Sequence, residues 1–200
     1  LAQLPLGAKL WNALFLSVTP RTAGFNSIDY GQATDATNFF TTLLMSIGGS
    51  PGSTAGGLKT TTVALIALVA WTRLRGGRWV TVWDRSVPDP TIQRAVGLFV
   101  VAFAVVTAAI MVLVAVQAPG PASVQGADFL AYMFEAASAF NTVGLSMGVT
   151  ADLTTAGRWI AIVLMYIGRV GPLAFAAAIT LRQHSAVRQI RYSYEDVVVG

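Results

Sequence analysis

Residues Ala36 to Trp71 form an apolar run of 36 residues that carries one charge, Lys59. As a single helix this run would extend roughly 54 Å at about 1.5 Å per residue. The hydrocarbon core of a bilayer is only about 30 Å thick. The middle of the run accounts for the excess. Gly48-Gly49-Ser50-Pro51-Gly52-Ser53-Thr54-Ala55-Gly56-Gly57 cannot remain a regular helix. Glycine weakens helix interiors, and Pro51 has no amide N–H to donate. The pattern therefore predicts a helix interrupted by a loop at membrane depth. Such backbone is tolerated only where protein buries it or where it lines a water-filled cavity. That marks the loop as a pore or gate element.

The rest of the chain agrees with a bilayer as solvent. Of its 200 residues, 54% are hydrophobic and 11% charged, against about 25% charged in a soluble domain. Ala95 to Val116 is uncharged, and Trp159 to Leu181 carries one charge, Arg169; both are long enough to span. Arg73, Arg75, Arg78, Arg85 and Arg94 lie between the first two spans, and Arg182, Arg188 and Arg191 follow the last. The positive-inside rule puts both groups in the cytoplasm. Residues 117–158, and by the same logic 1–35, then lie outside. The net charge of +4 is better read as this topology than as a nucleic-acid patch.

Within the outer segments, Asp128 to Phe140 is apolar, helix-compatible and too short to cross, as expected of a re-entrant segment. Trp11 to Val18 is a shorter counterpart. Sliding the sequence by 120 residues superposes the two regions without a gap. Thr22 falls on Thr142, Gly24 on Gly144, Thr34 on Thr154, and Leu44, Met45, Ile47 and Gly48 on Leu164, Met165, Ile167 and Gly168. The identity is low, but the whole order of short helix, glycine turn and long span repeats. We expect a duplicated helix–pore loop–helix unit.

The runs Thr22-Ala23-Gly24-Phe25-Asn26 and Thr142-Val143-Gly144-Leu145-Ser146 follow the short helices. A dehydrating potassium ion needs oxygen ligands, and backbone carbonyls supply them without a fixed charge that would hold it too tightly. Glycine permits the backbone that turns carbonyls toward an axis, and the negative C-terminal end of each short helix would face the cation. An ordinary glycine turn is the plain alternative for either motif alone.

SVTPRTAGFNS, GGSPGSTAGGLKTTT, AFNTVGLS and YIGRVGPL, in this order, resemble the KtrB-type membrane subunits of the Ktr/Trk/HKT superfamily. The resemblance implies an all-α integral membrane protein with four helix–pore loop–helix repeats around a pseudo-four-fold ion path. Residues 1–76 would be the third repeat lacking its first helix, 77–94 a cytoplasmic basic linker, 95–182 the fourth repeat and 183–200 a cytoplasmic tail. It assigns Thr22, Ala23, Gly24 and Phe25, with Thr142, Val143, Gly144 and Leu145, to a potassium filter. It assigns Gly49, Ser50, Pro51, Gly52, Ser53, Thr54, Ala55, Gly56 and Gly57 to an intramembrane gate, faced by Arg169. It further implies a multi-pass location in the cytoplasmic membrane, a homodimer, a cytosolic nucleotide-binding regulatory ring of the KtrA type, and sodium as a stimulating ion. Physics agrees about Arg169, because a mid-span arginine is costly and faces a cavity or a partner. Loop carbonyls would be a natural partner; a structural hydrogen-bond network is the alternative.

Arg21, Asn26, Lys59, Glu135 and Ser146 are expected as supports, with Glu135 and Arg21 bracing the loops and Lys59 ending the gate or reaching a polar vestibule. His184 belongs to the basic tail. The run GSTAGGLKT is not a phosphate-binding loop, because Leu58 separates Gly57 from Lys59 and no strand precedes it. The chain has no cysteine and no carboxylate pair or Ser-His-Asp set, so an enzyme is not expected. Leu1 is not a start methionine, and a cut from a longer protein is expected. Two other readings stand beside a potassium pathway. One is a Trk-type or sodium-carrying HKT-like subunit. The other is a non-conducting fragment that needs its missing half.

Overall fold

The computed structural model describes residues 5–77, 79–82, 85–117 and 127–171. The far end of the expected last span, the tail with its arginines and His184, and Arg78 lie outside the described residues.

Six helices dominate: α1 (Leu6–Val18), α2 (Asp35–Ser46), α3 (Thr60–Leu74), α4 (Asp89–Gln117), α5 (Ala127–Phe140) and α6 (Thr155–Val170). The apolar run from Ala36 is helical on both flanks and non-helical over residues 47–59. Helix α2 begins where the Thr34 side chain accepts from the Thr37 N–H, with Asp35 in its first turn. A hydroxyl there satisfies an otherwise orphaned amide, and an acidic residue suits the positive end of the helix. Thr154, 120 residues later, caps α6 the same way by accepting from the Gly157 N–H. Helix α3 closes at a glycine pair: Gly76 has φ +72°, and the Gly77 N–H reaches back to the Thr72 carbonyl.

Several boundaries run past the apolar limits. Helix α1 starts at Leu6 rather than Trp11, immediately after Pro5, whose extended backbone serves as the cap. Helix α4 starts at Asp89 rather than Ala95; its 29 residues measure roughly 43 Å, more than the hydrocarbon core requires. Polar residues at a helix end remain helical when they sit in the headgroup layer, which hydropathy alone does not register. The basic linker folds into a short antiparallel pair, β1 (Thr81–Val82) and β2 (Arg85–Ser86), with Thr81 opposite Ser86.

Helix α5 is the hub. It packs against α2, α4 and α6, and every residue from Phe134 to Phe140 is buried. One apolar cluster joins Ala136, Ala139 and Phe140 to Ala102 and Leu113 of α4 and to Ala161, Leu164 and Ile167 of α6. A second joins Phe134 and Ala137 to Met45 of α2, Tyr30, Val143 and Leu145. The matching helix α1 buries no residue; Trp11 is 73% exposed.

Candidate functional site

Both glycine turns begin where a short helix runs out of intrahelical partners. After α1, the Ala23 and Gly24 amides bond back to the Thr19 carbonyl at 3.1 and 3.3 Å. After α5, the Thr142 and Val143 amides bond to Ala139 and Ser138 carbonyls at 3.1 and 2.9 Å. The chain then adopts the same signature twice. Thr22 and Gly24 have φ of +66° and +76°, and Thr142 and Gly144 have +53° and +91°. No other described non-glycine residues have positive φ. Left-handed backbone costs an L-residue about 1–2 kcal/mol, and a β-branched residue there is an outlier. Such strain persists only where the surroundings over-determine it, and it clusters at functional sites. A left-handed residue at every second position also breaks the alternation of an ordinary strand.

The two turns meet. A Cβ on Gly24 would overlap the Val143 carbonyl oxygen and lie 3.6 Å from the Gly144 Cα. Gly24 is thus required twice, by its φ and by this close approach. The flanking residues differ: Leu145 is buried and Phe25 is exposed.

The broken segment over 47–59 packs against both turns. The Thr60 amide closes it by bonding to the Gly49 carbonyl at 3.1 Å, and the Ser53 amide and hydroxyl both bond to the Ser50 carbonyl. Pro51 and Gly52 form its exposed tip, with Gly52 at φ +80°. The Gly56 N–H donates to Thr142 Oγ1 at 2.9 Å, and the Gly57 N–H to the Gly168 carbonyl at 3.0 Å. Two glycines make this approach possible, and a third, Gly168, lets α6 approach the end of α5. A Cβ would lie 2.6 Å from Thr142 Oγ1 at Gly56, 2.7 Å from Asn141 Cγ at Gly57, and 2.7 Å from the Phe140 carbonyl carbon at Gly168.

Both cations expected near the loop bond to its carbonyls. Arg169 donates from its guanidinium to the Thr54 carbonyl, and Lys59 Nζ donates to the Ala55 carbonyl. A cavity of about 280 Å³ separates the first turn from the loop, with Arg21 and Thr22 on one wall and Gly49, Ser50, Ser53 and Thr54 on the other.

Glu135, buried on α5, accepts from the hydroxyls of Ser146, at 2.9 Å, and Thr150. Asn26 bonds locally, its side-chain amide donating to the Ile28 carbonyl at 3.2 Å. Tyr30 packs against Phe134 with ring centroids 5.3 Å apart; burial pushes its hydroxyl above the usual phenol range, and Thr41 pulls the other way. Thr19, Asn141, Thr150 and Gly168 were not singled out from the sequence. Of these, Gly168 has a readable signal, since it aligns with Gly48 in the repeat; Thr19, whose hydroxyl donates to the Phe25 carbonyl, has Ala139 at the matching position.

Among the described residues no three or more His, Cys, Asp or Glu side chains cluster as metal ligands. The turns' own hydrogen bonds run through backbone carbonyls and threonine hydroxyls, with the Glu135 carboxylate and Ser146 hydroxyl beside the second.

The chain is thus mostly helical, with a non-helical break packed against two glycine turns. A family model described as TrkH, cation transport protein, matches residues 1–189, and the chain belongs to that family. It is 42% identical over 201 residues to Ktr system potassium uptake protein B of Bacillus subtilis, covering all of this chain and 42% of that protein. It is 41% identical to the potassium/sodium uptake protein NtpJ of Enterococcus hirae, covering 96% of this chain and 42% of that one. Among solved structures, the potassium transporter TrkH from Vibrio parahaemolyticus superposes with a TM-score of 0.68 at 25% identity, covering 85% of this chain and 36% of that one. The chain thus spans about two fifths of the length of these curated relatives.

Proposed function

We propose that this chain supplies two pore-loop repeats, the first lacking its leading helix, to a potassium-transporting subunit of the cytoplasmic membrane. Residues 1–76 and 95–182 are the two repeats, 77–94 the cytoplasmic linker and 183–200 the tail. Thr22 to Phe25 and Thr142 to Leu145 form two quarters of the filter. Residues 49–57 form the gate beneath it, held by Arg169. The observation that carries this reading is the paired Thr-x-Gly turn, left-handed at both ends, occurring twice at the same sequence offset and meeting face to face.

Two quarters enclose only part of a path, so conduction requires the rest of the protein. A homodimer and a cytosolic nucleotide-binding ring follow from the family resemblance, and the Ktr system name of one relative is compatible with such a partner. The Enterococcus relative is named for potassium and sodium, which is compatible with sodium as a stimulating ion; the alternative reading is a Trk-type or sodium-carrying HKT-like subunit.

The test is potassium and sodium uptake by the full-length protein in cells lacking their own potassium uptake, comparing wild type with Gly144→Ser. Uptake that becomes sodium-leaky or is lost supports the filter. Unaltered selectivity would reduce Gly144 to an ordinary turn.

A further inference from the structure

Glu135 is 8% exposed and lies in the second half of α5, where the helix is enclosed on all sides. A carboxylate so placed is costly unless its oxygens are satisfied. One oxygen accepts from Ser146 Oγ at 2.9 Å and the other from Thr150 Oγ1. Ser146 Oγ also accepts from the Gly148 N–H at 3.0 Å and lies 2.9 Å from Thr150 Oγ1. The chain therefore leaves α5 at Phe140, passes through Thr142 to Leu145, and is fastened back to α5 by Glu135. The loop is held at both ends by one helix.

The first repeat lacks this device. Residue 15 is Phe where residue 135 is Glu, and residue 30 is Tyr where residue 150 is Thr. There the loop is tied at a different point, by the Thr19 hydroxyl on the Phe25 carbonyl, and the corresponding residue 139 is Ala. Each loop thus has its own tie to its own helix.

We propose that Glu135 is the positioning residue of the second glycine turn. Its two hydroxyl partners fix where the Val143 and Gly144 carbonyls lie, so discrimination between potassium and sodium depends on a side chain that touches no ion. The proposal rests on the filter reading above. Groups that orient ligands from behind typically cost about 10–100-fold in affinity or activity when removed.

The test measures the potassium-to-sodium uptake ratio of the full-length protein, with each variant's membrane abundance read in parallel by immunoblot. Glu135→Ala is expected to lower the ratio by about tenfold or more. The Ser146→Ala/Thr150→Val double variant should lower it comparably, and supplies the reading if Glu135→Ala fails to reach the membrane. Glu135→Gln retains one acceptor oxygen and gains an N–H₂ to which a rotated hydroxyl can turn, so it should recover most of the discrimination. If Glu135→Gln is as damaged as Glu135→Ala, charge rather than the tie is responsible and the proposal fails. It fails as well if Glu135→Ala and the double variant both keep the wild-type ratio while Gly144→Ser loses it. A Gly144→Ser protein with unaltered selectivity overturns the filter reading and this proposal together.

Discussion

Gly24→Ala and Gly144→Ala look like the same change made in two copies of one motif, yet they should differ sharply. Both glycines have positive φ, so each alanine costs about 1–2 kcal/mol in backbone conformation. At Gly144 little is added, since the nearest atom a Cβ would meet is the Gly24 Cα at an ordinary 3.8 Å. At Gly24 the Cβ would overlap the Val143 carbonyl oxygen. Relieving that overlap means moving one loop backbone relative to the other, and overpacking of this kind adds about 1–3 kcal/mol. Gly24→Ala should therefore cost roughly 2–5 kcal/mol and Gly144→Ala about 1–2. Thermal unfolding of the detergent-solubilised full-length protein reads the stability difference, and potassium uptake reads whether the turns stay aligned. Equal losses, or a larger loss at Gly144, would refute the face-to-face packing of the two turns.

Arg169→Ala removes a charge-assisted bond to the Thr54 carbonyl; discounted for its exposure, that is about 1 kcal/mol. Potassium flux should rise about fivefold, and unchanged flux would remove the arginine from the gate. Gly168→Ala places a Cβ 2.7 Å from the Phe140 carbonyl carbon, a backbone contact that no rotamer change relieves. Immunoblots of membranes should show a marked drop in protein, from a cost of about 1–3 kcal/mol. Thr154→Ala deletes the α6 cap and the hydroxyl's bond to Gln117, while the backbone N–H bond to Gln117 stays. It should cost about 1 kcal/mol, seen as a melting point lowered by a few degrees with ion selectivity intact.

The break in the apolar run was legible because its cause is local: five glycines and Pro51 within residues 48–57 are too dense to sustain a helix. The offset of 120 residues was legible because duplication preserves order, and it extends to the caps Thr34 and Thr154. The pairing of Gly56 with Thr142, 86 residues away, was not. Nothing local to either residue encodes it, since it depends on how α2, α5 and α6 pack. Glu135 was visible as a possible anchor, but its partners were not, because Thr150 lies in a short helical turn that no apolar periodicity announces. The extent of α1 was underestimated because Leu6 to Leu10 contains Gly7 and Lys9, which dilute the hydrophobic pattern without breaking the helix.

The glycines at 56 and 57 bring the broken segment against Thr142 and Asn141, and Gly168 brings α6 against Phe140, with no room for even a methyl group. A contact built that closely cannot be varied by degrees, because packed interfaces hold discrete arrangements rather than deforming continuously. If residues 49–57 gate the path as proposed, the current should be a sequence of steps between fixed levels. Driving force would set the height of each step, and a barrier in the packing would set how long each level lasts.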